Sequence, residues 1–258
     1  MHGTIELSVT GHIARLTMNN PDRHNSLTTD SLGAFLEHLQ RVNNNPEIRV
    51  LIVTGSGNTT FCSGASLDQL RSGAIGTGLF QTLTDSLAAI TVPKIAAMNG
   101  NAYGGGVEIG LCCDFRIGVT GMKIMVPAAR MGLCYPVRGI QRYVNQLGPA
   151  NARRILVAAE TLHAEDLLHI GYLQRIVDPA DLQKTADQMA GDLADLAPLA
   201  VGTMLQMCNQ YADGSLDAAQ AQQWLEECNS SPDLQEGLQA NLEKRKPEFT
   251  GPGFKKDR

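Results

Sequence analysis

The chain has 258 residues, 43% hydrophobic and 18% charged, with a formal net charge of −5. That is enough apolar material for one large domain and too much for a disordered chain, and the acidic balance argues against a nucleic-acid binder, which carries a basic face or stripe. No apolar run reaches the roughly 18 residues that span a bilayer, and the start Met1–Glu6 lacks the segments of a signal peptide. The six cysteines, Cys62, Cys112, Cys113, Cys134, Cys208 and Cys228, form no CxxC pair. Their mostly apolar neighbours read as those of reduced core residues in a cytoplasmic protein. Scattered histidines show no ligand spacing, so no metal site is expected.

The first half alternates strands and helices. Thr4–Val9 and His12–Met18 are β-rich runs separated by Thr10-Gly11, a hairpin pattern. After the polar loop Asn19–Asn25, Ser26 or Thr28 caps a helix to about Val42, with Leu32, Phe35, Leu36, Leu39 and Val42 on one face. Arg49–Thr54 reads as a buried strand, Gly55–Thr60 as a loop and Phe80–Ile90 as a helix. Pro93–Met98 is a further strand, as are Phe115–Val119, Met122–Val126 and Leu173–Val177. No element is assigned between Val126 and Leu173. Beyond Asp178 the pattern is helical over Asp181–Leu196, Pro198–Cys208, Ser215–Cys228 and Pro232–Lys244. The composition shift near residue 195 divides the chain into a core, 1–195, and a helical extension, 196–258, suited to packing on a neighbour. The tail Thr250–Arg258 reads as frayed, with Lys255 and Lys256 at its end.

Two segments share one logic: a buried strand, a loop of small residues, then a helix. The first runs from Arg49–Thr54 to Phe61–Leu67, the second from Pro93–Met98 to Gly104–Glu108. A helix start bares backbone N–H groups and positive dipole, and small residues let a ligand atom approach that backbone. Each loop alone is equally a tight turn or a close-packing site. Set side by side, the pair becomes an oxyanion hole for one carbonyl oxygen, with Glu108 next to it. No Gly-Lys-Ser/Thr follows either loop, which disfavours a phosphate-cradling loop.

The stretches Asn19–Leu27, Phe61–Leu67, Val92–Gly100, Gly104–Glu108, Cys113–Ile117 and Leu242–Phe249 resemble, in order, those of the crotonase superfamily, the enoyl-CoA hydratase/isomerase family. The resemblance implies an α/β fold, a crotonase-type spiral of ββα turns with a helical C-terminal trimerisation region, assembled as a homotrimer or a dimer of trimers. It implies an acyl-CoA thioester as substrate and partner, with no cofactor beyond that coenzyme A, and neither nucleic acid nor membrane. By motif position the oxyanion donors are the amides of Ala65 and Gly105. Ser66, Leu67 and Asp68 fall along the CoA-binding loop. Arg23 lies in a segment that approaches CoA in relatives, and reads equally as a solvated surface charge. Lys94 reads as a strand-end surface charge and Asp114 as a structural acid at a helix–strand junction.

The chain also departs from the hydratase pattern. Hydratases of this kind use two glutamates; the first corresponds to Glu108, the second to Ala128, which carries no proton. Addition of water to an enoyl thioester needs a base for the water and an acid for Cα. Arg130, Cys134 and Tyr135 are the nearby substitutes. Arg130 is a poor proton shuttle, and Cys134 reads as a small core hydrophobe. Tyr135 resembles a tyrosine of acyl-CoA decarboxylases that orients a carboxylate, and reads also as a pocket wall. Arg138 is placed to pair with a substrate acid or with Glu108. The expected activity is enoyl-CoA hydration or isomerisation; decarboxylation of a carboxyacyl-CoA, or acyl-CoA binding without turnover, are the alternatives.

Overall fold

The computed structural model describes residues 3–73, 75 and 77–254. Strands β1 (Thr4–Thr10) and β2 (Ile13–Asn19) form the expected antiparallel hairpin, and helix α1 (Thr29–Asn44) follows. Its start is a reciprocal cap in which Thr28 and Ser31 satisfy each other's backbone amides. The apolar face foreseen for α1 is buried through Leu32, Phe35, Leu39 and Val42.

Three ββα turns then stack. The first is β3 (Val50–Gly55), β4 (Thr60–Cys62), α2 (Leu67–Arg71) and α3 (Thr77–Ala88); the second is β5 (Lys94–Met98), β6 (Asn101–Tyr103) and α4 (Gly105–Leu111). The third is β7 (Phe115–Val119), β8 (Lys123–Met125) and α5 (Val137–Leu156), followed by β9 (Leu162–His163), α6 (Ala164–His169) and β10 (Arg175–Val177). The longer strands build a six-stranded sheet in the order β1-β2-β3-β5-β7-β10, parallel apart from the hairpin. The short strands build a second sheet, β4-β6-β8-β9. Each turn thus gives one strand to each sheet, and the helices close the spiral.

β3 and β5 are buried along their whole length, as continuous apolar runs between covering layers should be. The corners between the sheets are stitched by buried asparagines. The Asn99 amide nitrogen donates to the carbonyls of Ser56 and Gly57, and its oxygen accepts from the Gly55 amide. Asn25 does the same for Ser56 and Thr60.

Of the second sheet only β8 was foreseen, as the strand Met122–Val126; β4, β6 and β9 are two or three residues long, too short for a periodic signal. Nor was α5 foreseen, its pattern being broken by Gly139, Gly148 and Pro149; Gly148 takes a non-helical conformation and kinks it. The four C-terminal helices are α7 (Leu182–Ala194), α8 (Pro198–Asp213), α9 (Ala218–Asn229) and α10 (Pro232–Glu243). Leu199, Trp224 and Phe254 form a small core of their own, the Trp224 and Phe254 rings meeting edge to face at 5.1 Å. The expected fraying therefore does not extend to Phe254; Lys255 and Lys256 lie outside the described residues.

Lys94 is not a surface charge. Its side chain is 1% exposed, and its Nζ donates to the Ile90 carbonyl and to Asp114 Oδ2, each at 3.0 Å. Asp114 also accepts from the Lys94 amide, clamping the start of β5 to the end of α4. The ammonium is buried because a carboxylate and a carbonyl replace its water. In the same motif Arg116 donates to the carbonyls of Tyr172, Gly110 and Cys113, a second buried cation satisfied by scaffold oxygens. Replacing Lys94 by Ala strands Asp114 and the Ile90 carbonyl, so Lys94→Ala should lower the unfolding free energy by about 3 kcal/mol, measured by urea denaturation.

Candidate active site

The corner after β4 and the corner after β6 touch. Gly64 has φ +78, and a Cβ there would stand 2.6 Å from the Gly105 nitrogen, so only glycine lets the loops come together. A bridge to Leu27 uses the Gly64 carbonyl and the Ser66 amide, which turns the Ala65 amide to the other side. Gly105 opens α4, where an amide has no intrahelical acceptor. The three consecutive glycines each have a reason. Gly104 needs φ +50, Gly105 lies under the Phe80 ring, and Gly106 lies against the Cys62 carbonyl.

Ala65, Gly105 and Glu108 line one cavity of about 680 Å³. Ser66, Leu67, Asp68 and Arg23 line it too, with Leu67 65% exposed at its rim. Phe80, Ile75, Leu70, Val126, Pro127 and Met131 supply apolar wall. Ala128 lies on that wall as the correspondence requires, leaving methyl where a second carboxylate would stand.

Glu108 is 2% exposed, and each of its carboxylate oxygens has a donor. The Tyr135 hydroxyl donates to Oε2 at 2.8 Å, and Arg142 donates to Oε1 at 2.6 Å. Tyr135 lines the cavity, and the carboxylate its hydroxyl meets is that of Glu108. Burial, then the neighbouring Tyr143 and Glu108, push its phenol well above the ordinary tyrosine range, so it stays a donor. Gly139 makes the approach possible, since a Cβ there would sit 2.5 Å from the Tyr135 ring and 3.2 Å from Glu108 Oε1.

Three expectations are corrected. Arg138 does not reach Glu108; its side chain is 64% exposed and lies 3.5 Å from Asp85. The partner is Arg142, four residues on and on the same face of α5; both arginines reach Asp85, and only the one a turn further along the axis reaches Glu108. Arg130 donates to the Ala159 carbonyl and is absent from the cavity wall. Cys134 is exposed at the cavity mouth rather than packed in a core, and Cys208 is exposed as well; Cys62, Cys112 and Cys113 are buried as foreseen. Arg142 and Gly139 escaped the sequence reading because α5 itself did; Asp85 sits on the foreseen helix α3, and nothing local marks its partner on α5. Among the described residues no helix is long and apolar enough to cross a membrane, and no cluster of three metal-ligating side chains occurs.

The profile of the enoyl-CoA hydratase/isomerase family matches residues 8–252. A crotonyl-CoA hydratase from Syntrophomonas wolfei is 32% identical over 251 residues, covering 92% of this chain and 94% of that one. An (E)-benzylidenesuccinyl-CoA hydratase from Thauera aromatica is 32% identical over 261 residues, covering 96% and 99%. The crystal structure of an enoyl-CoA hydratase/carnithine racemase from Magnetospirillum magneticum superposes with a TM-score of 0.91 at 26% identity, over 97% of this chain and 96% of that one. Spiral and cavity therefore define an acyl-CoA enzyme of the crotonase class. The chain belongs to the enoyl-CoA hydratase/isomerase family. These relatives favour neither the decarboxylase nor the non-catalytic alternative.

The buried phenols carry a consequence for stability. Tyr135, Tyr143 and Tyr172 all hold their protons more tightly than a free tyrosine, chiefly through desolvation. The unfolded chain releases those protons from about pH 10 upward while the folded chain keeps them. Their contribution is whole below that pH and is lost as pH rises above it. Urea-unfolding free energies should therefore fall steadily above about pH 10, and less steeply in Tyr172→Phe.

Proposed function

We propose that the enzyme hydrates a 2-enoyl-CoA thioester, with Ala65 and Gly105 donating their amides to the thioester oxygen and Glu108 handling the protons. The observation that carries this reading is that Ala65, Gly105 and the buried Glu108 line a single, largely apolar cavity. Amides held rigidly at a helix start and a bridge need little reorganisation when the carbonyl becomes an enolate oxygen, so they favour the transition state over the ground state. The names of the relatives quoted above support hydration over isomerisation.

With Ala128 in place of a second acid, the steps fall to Glu108. Its carboxylate takes a proton from water as the water oxygen bonds to the β-carbon, and electrons move onto the thioester oxygen. The resulting carboxylic acid returns the proton to Cα as the enolate collapses. Tyr135, protonated throughout, steadies Oε2 while a second lone pair of that oxygen stays open to substrate. Ser66, Leu67, Asp68 and Arg23 lie where the CoA moiety would run along the rim.

We further assign residues 196–258 to oligomerisation, as a homotrimer or a pair of trimers. Met204, Tyr211, Leu225, Leu238 and Leu242 are large apolar side chains left exposed on these helices. Sedimentation should return a multiple of three chains.

The enzymatic reading is tested with crotonyl-CoA, following loss of enoyl absorbance. Glu108→Gln should lower kcat by roughly 100- to 10,000-fold, the worth of a positioned acid/base. Tyr135→Phe should lower it less, since it removes one hydrogen bond to the base. Hydration at the wild-type rate in Glu108→Gln would remove that residue from the mechanism.

A further inference from the structure

We infer that Arg142, braced by Asp85, is a positioning residue that holds Glu108 in the orientation proton transfer requires. The inference rests on Glu108 being the proton-transfer group. Arg142 is absent from the cavity wall while Glu108 is part of it, so the guanidinium acts through the carboxylate and not on the substrate.

The guanidinium is used as a fork between two helices. One terminal nitrogen donates to Glu108 Oε1 at 2.6 Å on α4 and to Thr84 Oγ1 at 3.1 Å on α3. The other donates to Asp85 on α3. Arg142 and Glu108 side chains are 14% and 3% exposed, so the contact between them lies largely out of bulk water. A planar fork with three fixed acceptors has little rotational freedom, which a lysine ammonium would not match. With Oε1 held by Arg142 and Oε2 by Tyr135, rotation of the carboxylate about its last bond is blocked from both ends. A base whose proton acceptor must face Cα, and then face it again as an acid, gains from that restraint.

Helix α3 extends the constraint. Phe80 and Thr84 lie four residues apart and therefore on one face. The Phe80 ring packs on Gly105, and Thr84 accepts from Arg142. One helix thus braces the glycine that bears an oxyanion amide and, through Arg142, the base. Asp85 is itself restrained from the second side by Arg138 at 3.5 Å. Arg142 also solves the problem posed by Ala128: in a site with one carboxylate, the orientation of that carboxylate decides both proton steps.

Two readouts test the inference: kcat and KM for crotonyl-CoA hydration, and exchange of the α-hydrogens of butyryl-CoA in deuterium oxide, followed by mass spectrometry. In Arg142→Gln both kcat and exchange should fall roughly a hundredfold, the scale of misplacing a reacting group by about 1 Å, while KM stays within about threefold. Arg142→Lys should recover part of the loss, because the charge returns without the fork. Asp85→Asn should show a smaller fall in kcat, and the double variant should be no worse than Arg142→Gln alone, since the two act through one contact. A folded Arg142→Gln with kcat within about twofold of wild type, or with its deficit confined to KM, overturns the inference. If Arg142→Gln does not fold, half-exposed Asp85 decides: unchanged kcat in Asp85→Asn overturns it equally. A Glu108→Gln arm separates the two levels. Undiminished exchange there removes the proton-transfer reading, whereas loss there with intact Arg142→Gln and Asp85→Asn removes only the role of Arg142.

Discussion

A carboxylate taken out of water must find hydrogen-bond donors, and nearly every unusual choice around Glu108 follows from that need. Tyr135 donates to one oxygen and Arg142 to the other. Gly139 gives up its side chain so that both approaches fit, and Asp85 takes the second nitrogen of the guanidinium. Four segments of the chain, α3, α4, the loop before α5 and α5 itself, converge on one carboxylate. Such a pair is poor evidence for stability in its own right, because desolvation offsets most of the attraction. Its value lies in geometry: a carboxylate with a fixed donor on each oxygen has one orientation.

The amides opposite Glu108 depend on a different constraint, the close approach of two corners in successive turns of the spiral. Parallel pairing of β4 with β6 brings the corners to the same edge, and Gly64 removes the atoms that would keep them apart. Donors of this kind cannot be mutated away through a side chain, and they cost no reorganisation when charge develops on the oxygen between them. In the proposed mechanism the scaffold holds the enolate oxygen, while the side chains behind Glu108 hold the base. Ala128 leaves apolar wall where a second acid would stand, which in the proposed mechanism gives both proton steps to one group.

Buried charges recur away from the site with the same logic. Lys94 with Asp114, and Arg116 with three carbonyls, tie the first residues of β5 and β7 to the corners beside them. They occupy motif positions by which the family is recognised, yet they face scaffold, not substrate. A motif is therefore a record of packing as much as of chemistry.

From sequence alone came the long parallel strands, the hairpin, the four C-terminal helices, the two glycine corners and the lone acid among apolar residues, with the family they resemble. These are properties that neighbours in the chain determine: an apolar run of five, a helical period, a glycine triplet. The strands β4, β6 and β9 of the second sheet, the helix Val137–Leu156, the burial of Lys94 and the choice of Arg142 over Arg138 were decided only by the tertiary structure. A strand of three residues has no period to read, and a helix interrupted by three helix-breaking residues hides its own. Which of two arginines one turn apart on the same helix face meets a carboxylate some thirty residues away depends on where along its axis α5 crosses α4, and that crossing is set by packing between distant segments, not by any local pattern.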